Sequence, residues 1–153
     1  MKVLLTFSLL IFVINGFSQT NEFRLKQFNL ENGVGIKGYD PVAYFVQNKA
    51  IKGRKEFSSI YKGINYQFIS SANLETFRSN PEKYEPQYGG WCAYAMGKEG
   101  SKVEVDPETF KIIDGKLFLF YNRFFNNTLK SWNLNEANLH TLADANWQKT
   151  LKQ

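Results

Sequence analysis

The sequence predicts an α+β fold: a small antiparallel sheet built from two hairpins, packed with short helices and a C-terminal helix. Three observations carry that expectation. Two strand-like stretches, Glu56–Ile69 and Phe110–Tyr121, are each divided by a turn signal, Lys62-Gly63 in the first and Asp114-Gly115 in the second. Short apolar runs between them are punctuated by Ser and Asp caps and by prolines, which marks brief helices. From Leu134 onward, Leu139, Leu142 or Ala143, and Trp147 recur at helical intervals, so a last helix runs to about Lys149.

At the N-terminus Lys2 precedes an apolar run from Val3 to Ile14, and Gly16 and Ser18 are small residues ahead of a cut after Ser18. That pattern predicts a secretory signal peptide over residues 1–18 and a single domain over residues 19–153. The run is too short and too weakly flanked for a membrane span, so no stable membrane insertion is expected after cleavage. The expected location is periplasmic or secreted. The 135 residues left of 153 suit one domain with its own core. Losing Lys2 lowers the net charge from +5 to +4, and the remaining positive charges are scattered, Lys52, Arg54 and Lys55 being the densest group. Scattered charge reads as a solvated face and, with export, argues against a nucleic-acid partner. One cysteine permits no internal disulfide, so stability falls to the packing of 14 Phe, 8 Tyr and 3 Trp.

Thr20–Ile36 reads as a lead-in, a short strand or an arm that lays Phe23, Leu25, Phe28 and Leu30 on the core. Asp40-Pro41 starts a brief helix: the Asp caps it, and Pro fills a position whose N–H needs no internal partner. In the first hairpin Ile64, Tyr66 and Phe68 alternate cleanly. Ser70 or Ser71 caps a helix that faces Leu74 and Phe77 inward and stops before Pro81, and Pro81–Tyr84 restarts a turn of helix. Val103 and Val105 suggest a strand reaching a second Asp-Pro pair at Asp106-Pro107. Leu117–Phe120 is continuously apolar, which predicts a strand covered on both faces and, with the first hairpin, an antiparallel sheet of at least four strands. Asn122–Lys130, carrying Phe124, Phe125 and Leu129, reads as helical, and Asn133 with Glu136 forms a variant capping box.

The chemistry-bearing residues gather in Tyr84–Met96, which holds the single cysteine, a Gly-Gly pair, a tryptophan and three tyrosines. Gly89 and Gly90 permit a backbone bend that side chains would block and let another group come close. Trp91–Met96 begins a short helix with Cys92 in its first turn, where outward N–H groups favour a thiolate. Met96 lies four residues on, so the two sulfurs would share a helix face, a soft edge for a metal and equally a pattern of core packing. The sole histidine, His140, joins them in a candidate metal set of Cys92, Met96 and His140, and it also reads as a solvent-facing helix residue. A candidate ligand site takes Tyr39, Asp40 and Tyr44 from the first aromatic turn. It takes Tyr88, Gly89, Gly90, Trp91 and Cys92 from the glycine elbow. Capping alone also explains Asp40.

No phosphate-gripping glycine loop, H-E-x-x-H, C-x-x-C or G-x-S-x-G occurs, and no pair of carboxylates shares a helix or strand face.

Y-D-P-V-A-Y-F at 39–45, G-I-N-Y-Q-F-I-S at 63–70, F-R-S-N-P-E-K-Y at 77–84 and Y-G-G-W-C-A-Y-A at 88–95 together resemble an exported bacterial YHS-domain protein. D-P-E-T-F-K-I-I-D-G-K-L-F-L-F-Y-N at 106–122 and the late Trp147 resemble that subgroup's tail, so the domain over 19–153 is read as YHS-like with a C-terminal helical extension. The resemblance implies a small metal-associated module. Such relatives place cysteines in and just after the strand corresponding to Tyr66–Ser70; here Ser70 and Asn73 stand at the strand end and helix start.

Three classes of function follow. The first is an exported binding module holding a soft metal ion, Cu(I) by the sulfur ligands, or a small ligand near Cys92. The second is a non-catalytic protein-interaction or structural domain whose aromatic residues support a partner surface. The third is a thiol enzyme using Cys92, for which the one histidine lies 48 residues downstream.

Overall fold

The computed structural model describes residues 14–152. The expected signal peptide therefore lies, up to Val13, outside the described residues. Helix α1 (Ile14–Gln27) runs through the expected cut point. The lead-in from Thr20, expected as a strand or arm, is helical as far as Gln27, and its tertiary contacts explain why. Arg24 pairs with Glu85 at 2.6 Å, donates to the Lys62 carbonyl at 3.3 Å and lies 4.3 Å from the Phe28 ring centre. The chain then forms β1 (Leu30–Glu31) and β2 (Val34–Gly35).

The first expected hairpin is β3 (Arg54–Tyr61) and β4 (Ile64–Phe68), the second β5 (Asp106–Ile113) and β6 (Lys116–Phe120). The α+β class holds and both hairpins are antiparallel, but they do not join into one sheet. Four strands do assemble in the order β1-β2-β4-β3, with β2 meeting β4 in parallel through Val34 and Asn65. β5 and β6 stand apart because the free edge of β6 is taken by the elbow segment, Pro86 bridging to Leu117 and Cys92 to Leu119.

Alternation along β6 then divides the interior in two. Leu117 and Leu119 enter a core with Val42, Tyr44, Ile64, Tyr66, Phe68 and Phe77. Phe118 and Phe120 enter a second core with Tyr88, Met96, Trp132, Leu139 and Ala143. The strand is covered on both faces, as its unbroken apolar run requires.

Helices close the two cores. α2 (Ala43–Val46), α3 (Ser71–Ser79) and α4 (Pro81–Tyr84) serve the first, and Ser70 caps α3 by accepting from the Asn73 N–H at 3.2 Å. α5 (Ala93–Glu99), α6 (Thr128–Asn133) and α7 (Glu136–Thr150) supply the second. Within α7, Leu139 and Ala143 are buried while Leu142 faces outward, and the cap position is Asn135 with no side-chain bond, so the expected Asn133 capping box is not used.

Asn122–Lys130, expected as helix, opens instead with a hairpin, β7 (Asn122–Arg123) and β8 (Asn126–Asn127). Its two-residue turn is Phe124-Phe125, with φ of 51° and 65°. The other three two-residue hairpin turns among the described residues, Asn32-Gly33, Lys62-Gly63 and Asp114-Gly115, also have positive φ at both positions, and each ends in glycine. A left-handed residue with a Cβ costs about 1–2 kcal/mol, so only the fourth hairpin carries that cost on two bulky side chains.

Candidate functional site

The first aromatic turn is organised by Asp40, which is fully buried. Its Oδ1 accepts from the Val42 and Ala43 N–H groups at 2.8 and 3.2 Å, and its Oδ2 from the Ile69 N–H at 2.8 Å and the Asn73 side-chain amide at 2.7 Å. Four donors occupy the carboxylate's lone pairs, so Asp40 ties the turn to the end of β4 and the start of α3 and has no acceptor to spare for a ligand. Tyr44 is buried, donates to the Pro107 carbonyl at 2.9 Å and packs edge-on against Phe110. Burial pushes its hydroxyl pKa far up. Tyr39 sits at the edge with Lys52 over its ring and donates to Glu108 at 3.3 Å; desolvation, then the Glu108 carboxylate, raises its pKa.

The glycine elbow is filled as well. Tyr88 and Gly89 have φ of 54° and 61°, and a Cβ on Gly89 would come within 2.9 Å of Trp147 and 3.0 Å of Phe28. The chain bends here so that the end of the N-terminal arm and the C-terminal helix can close over it. Asn29 clamps the bend: its N–H donates to the Gly89 carbonyl at 2.9 Å and its side chain to the Gly90 carbonyl at 3.2 Å. Trp91 donates its indole N–H to the Gln27 carbonyl at 2.7 Å. The Tyr88 hydroxyl donates to Asp144 at 2.9 Å, and burial, then that carboxylate, drives its pKa far up. The close approach that the glycines allow is made by the protein itself.

Cys92 stands one residue before α5, at its cap position, and not inside the first turn. It has no exposed surface. The Tyr121 N–H donates to Sγ at 3.4 Å, and Sγ lies 3.4 Å from the Thr128 hydroxyl oxygen. That hydroxyl donates its proton to the Tyr121 carbonyl at 2.9 Å, which leaves its oxygen to accept the thiol S–H. A solvent-open cleft of about 250 Å³ lies against this network. Cys92 and Thr128 back it, Tyr94 and Tyr121 give it aromatic walls, and Lys98, Glu99, Ser101 and Asn126 add polar groups.

The expected metal set does not converge. Cys92 belongs to the first core and Met96 to the second, so the two sulfurs face different interiors despite their spacing. Starting the helix after Cys92 is the physical reason, since the four-residue rule holds only within helical geometry. His140, read as solvent-facing, packs edge-on against Phe118 at 5.0 Å, lies against Trp132 and reaches Asp144 at 3.7 Å. Among the described residues no group of three His, Cys, Asp or Glu side chains could hold a metal ion. Of the expected ligand residues, only Cys92 borders the cleft. No local sequence signal marks Tyr94, Lys98, Tyr121, Asn126 and Thr128, because they come together only after the β7–β8 hairpin folds back.

Residues 42–88 match the family model of the YHS domain. The match spans 47 of 153 residues and contains α2, β3, β4, α3 and α4. Both Asp40 and the whole Cys92 cleft lie outside that YHS segment. Where the YHS resemblance implies cysteines, Ser70 caps α3 and Asn73 is bonded to Asp40, so both positions serve the fold. No curated protein and no solved structure matches the chain.

Proposed function

We propose that the protein is an exported binding module that takes a small polar ligand in the cleft backed by Cys92 and Thr128. The observation that carries this reading is the convergence of two tyrosines, an amide and hydroxyl groups on one hollow of about 250 Å³, while the aromatic turn and the glycine elbow are closed by their own contacts. Ligand pockets for drug-sized molecules run from about 300 to 1,000 Å³, so the occupant is smaller, of amino-acid or simple phenol size. Lys98 and Glu99, 3.6 Å apart at this cleft, suit a molecule bearing both charges or none. Export rests on the residue pattern of 1–18, and the mass of the protein recovered from the producing cell tests it: loss of 18 residues supports export.

The YHS match suggests metal association, but the residues present do not fit a resident metal. Cys92 is held by Tyr121 and Thr128, and neither Met96 nor His140 shares its surroundings. Cu(I) titration should accordingly give equal affinity for the protein and for Cys92→Ser.

Amide NMR titration with glycine, acetate and phenol tests the ligand reading. The expected result is saturable shifts confined to residues 92–101 and 121–128. Shifts confined to Tyr39–Tyr44, or none with any of the three probes, would overturn it.

A further inference from the structure

We propose that the β7–β8 hairpin is a membrane-docking tip that seats Phe124 and Phe125 in the headgroup region of an anionic lipid surface. This stands on observations separate from the cleft. Phe124 is 89% exposed and Phe125 fully so, and neither ring enters either core. Both hold left-handed backbone where the three other two-residue turns use glycine at the second position. Strain of this kind persists where the surroundings impose it, and it gathers at functional segments.

The hairpin's base is locked. The Thr128 N–H donates to the Tyr121 carbonyl at 3.0 Å, Asn122 donates to the Thr109 hydroxyl at 2.9 Å, and Asn127 caps α6 by accepting from the Leu129 N–H at 3.0 Å. A fixed base presents the two rings together at the tip, and the cleft that Asn126 borders opens beside the base of the hairpin and is lined by neither phenylalanine. Around the tip the side chains suit lipid headgroups. Arg123 and Asn126 flank the rings, Lys130 follows in α6, and no acidic residue occurs between Gly115 and Asn135. From another element, Glu99 reaches the cleft that Asn126 borders, and it is paired there with Lys98. Apolar burial together with basic residues is the combination that holds peripheral proteins on anionic bilayers, where neither alone suffices. No described helix is long and apolar enough to cross a membrane.

Co-sedimentation with vesicles of phosphatidylcholine containing three-tenths phosphatidylglycerol, compared with pure phosphatidylcholine, tests the proposal. The protein should bind the anionic vesicles at least tenfold more tightly, and added salt should weaken that binding. The decisive variant is F124N/F125G, which installs the residues this turn prefers. It should melt at a higher temperature than the parent while losing vesicle binding at least tenfold, so a folding failure cannot imitate the result. Absence of binding to anionic vesicles would overturn the proposal, as would undiminished binding by a folded F124N/F125G. Loss of a protein partner by that variant, with no vesicle binding by the parent, would overturn it too and mark the tip as a protein knob.

Discussion

The Asp40 corner and the Cys92 corner look alike in sequence, each a polar residue at a turn beside aromatics, and the fold uses them differently. At Asp40 four donors close on one buried carboxylate and the neighbouring tyrosine is spent on a backbone carbonyl. At Cys92 the bonds run from the Tyr121 N–H to Sγ, on to the Thr128 oxygen and back to the Tyr121 carbonyl, a small ring that lies against an open hollow. The comparison teaches that burial of a reactive group says little about function until its hydrogen-bonding capacity has been counted. A saturated group holds the fold. Beside the Cys92 ring, Tyr94, Ser101 and Asn126 line the hollow and offer polar groups to a guest.

If that contrast is right, damage to the closed corner should be severe. Asp40→Ala leaves the Val42, Ala43 and Ile69 N–H groups and the Asn73 amide without their acceptor, and should cost about 4 kcal/mol in denaturant unfolding. A loss under about 1 kcal/mol would break the comparison. The elbow comes next. Gly89→Ala must hold a Cβ at positive φ against Trp147 and Phe28, and should cost about 3 kcal/mol by the same measurement.

These two sites also show what could be read from the sequence. Asp40 with Pro41, Ser70 ahead of α3 and the Lys62-Gly63 and Asp114-Gly115 turns were legible because cap and turn preferences act over three or four residues. The apolar run Leu117–Phe120 disclosed a strand covered on both faces, though not that the cover comes from two separate cores. The β7–β8 hairpin was illegible for a physical reason: Phe-Phe opposes the turn it occupies, so local preference pointed to helix. The cleft is hidden differently, since Cys92, Tyr121 and Thr128 are brought together by chain reversal and the sulfur pairing depends on a helix start at Trp91, two residues before the observed start at Ala93.

At the open corner the effects should be smaller. Thr128→Val removes the oxygen between Sγ and the Tyr121 carbonyl and should cost about 1 kcal/mol, while glycine, acetate and phenol titrations shift most in the residues that border the cleft. A loss as large as that of Asp40→Ala would make this corner structural too. The smallest effect belongs to a half-buried ion pair outside both corners. The Lys111 ammonium, helped by the Trp132 indole, holds the Glu136 carboxyl below its ordinary 4.5. Its folded pKa is depressed, so its contribution is present above pH 4.5 and is lost as pH falls through the lower folded value. The protein should therefore be more stable than Glu136→Gln above pH 4.5, by less than about 1 kcal/mol given the pair's partial exposure, and acid titration should show that difference vanish as pH falls through the folded value. A difference that persists unchanged below pH 3 would assign Glu136 a role other than its charge.

The central claim is that the hollow reaches the cysteine, and the denaturant dependence of Cys92 labelling by a small uncharged thiol reagent tests it most directly. Access from the cleft needs only a local opening, so the account predicts labelling in native buffer faster than global unfolding permits, with a shallow dependence on denaturant. Labelling that follows the full slope of global unfolding at every denaturant concentration would contradict it and make Cys92 a sealed core residue like Asp40.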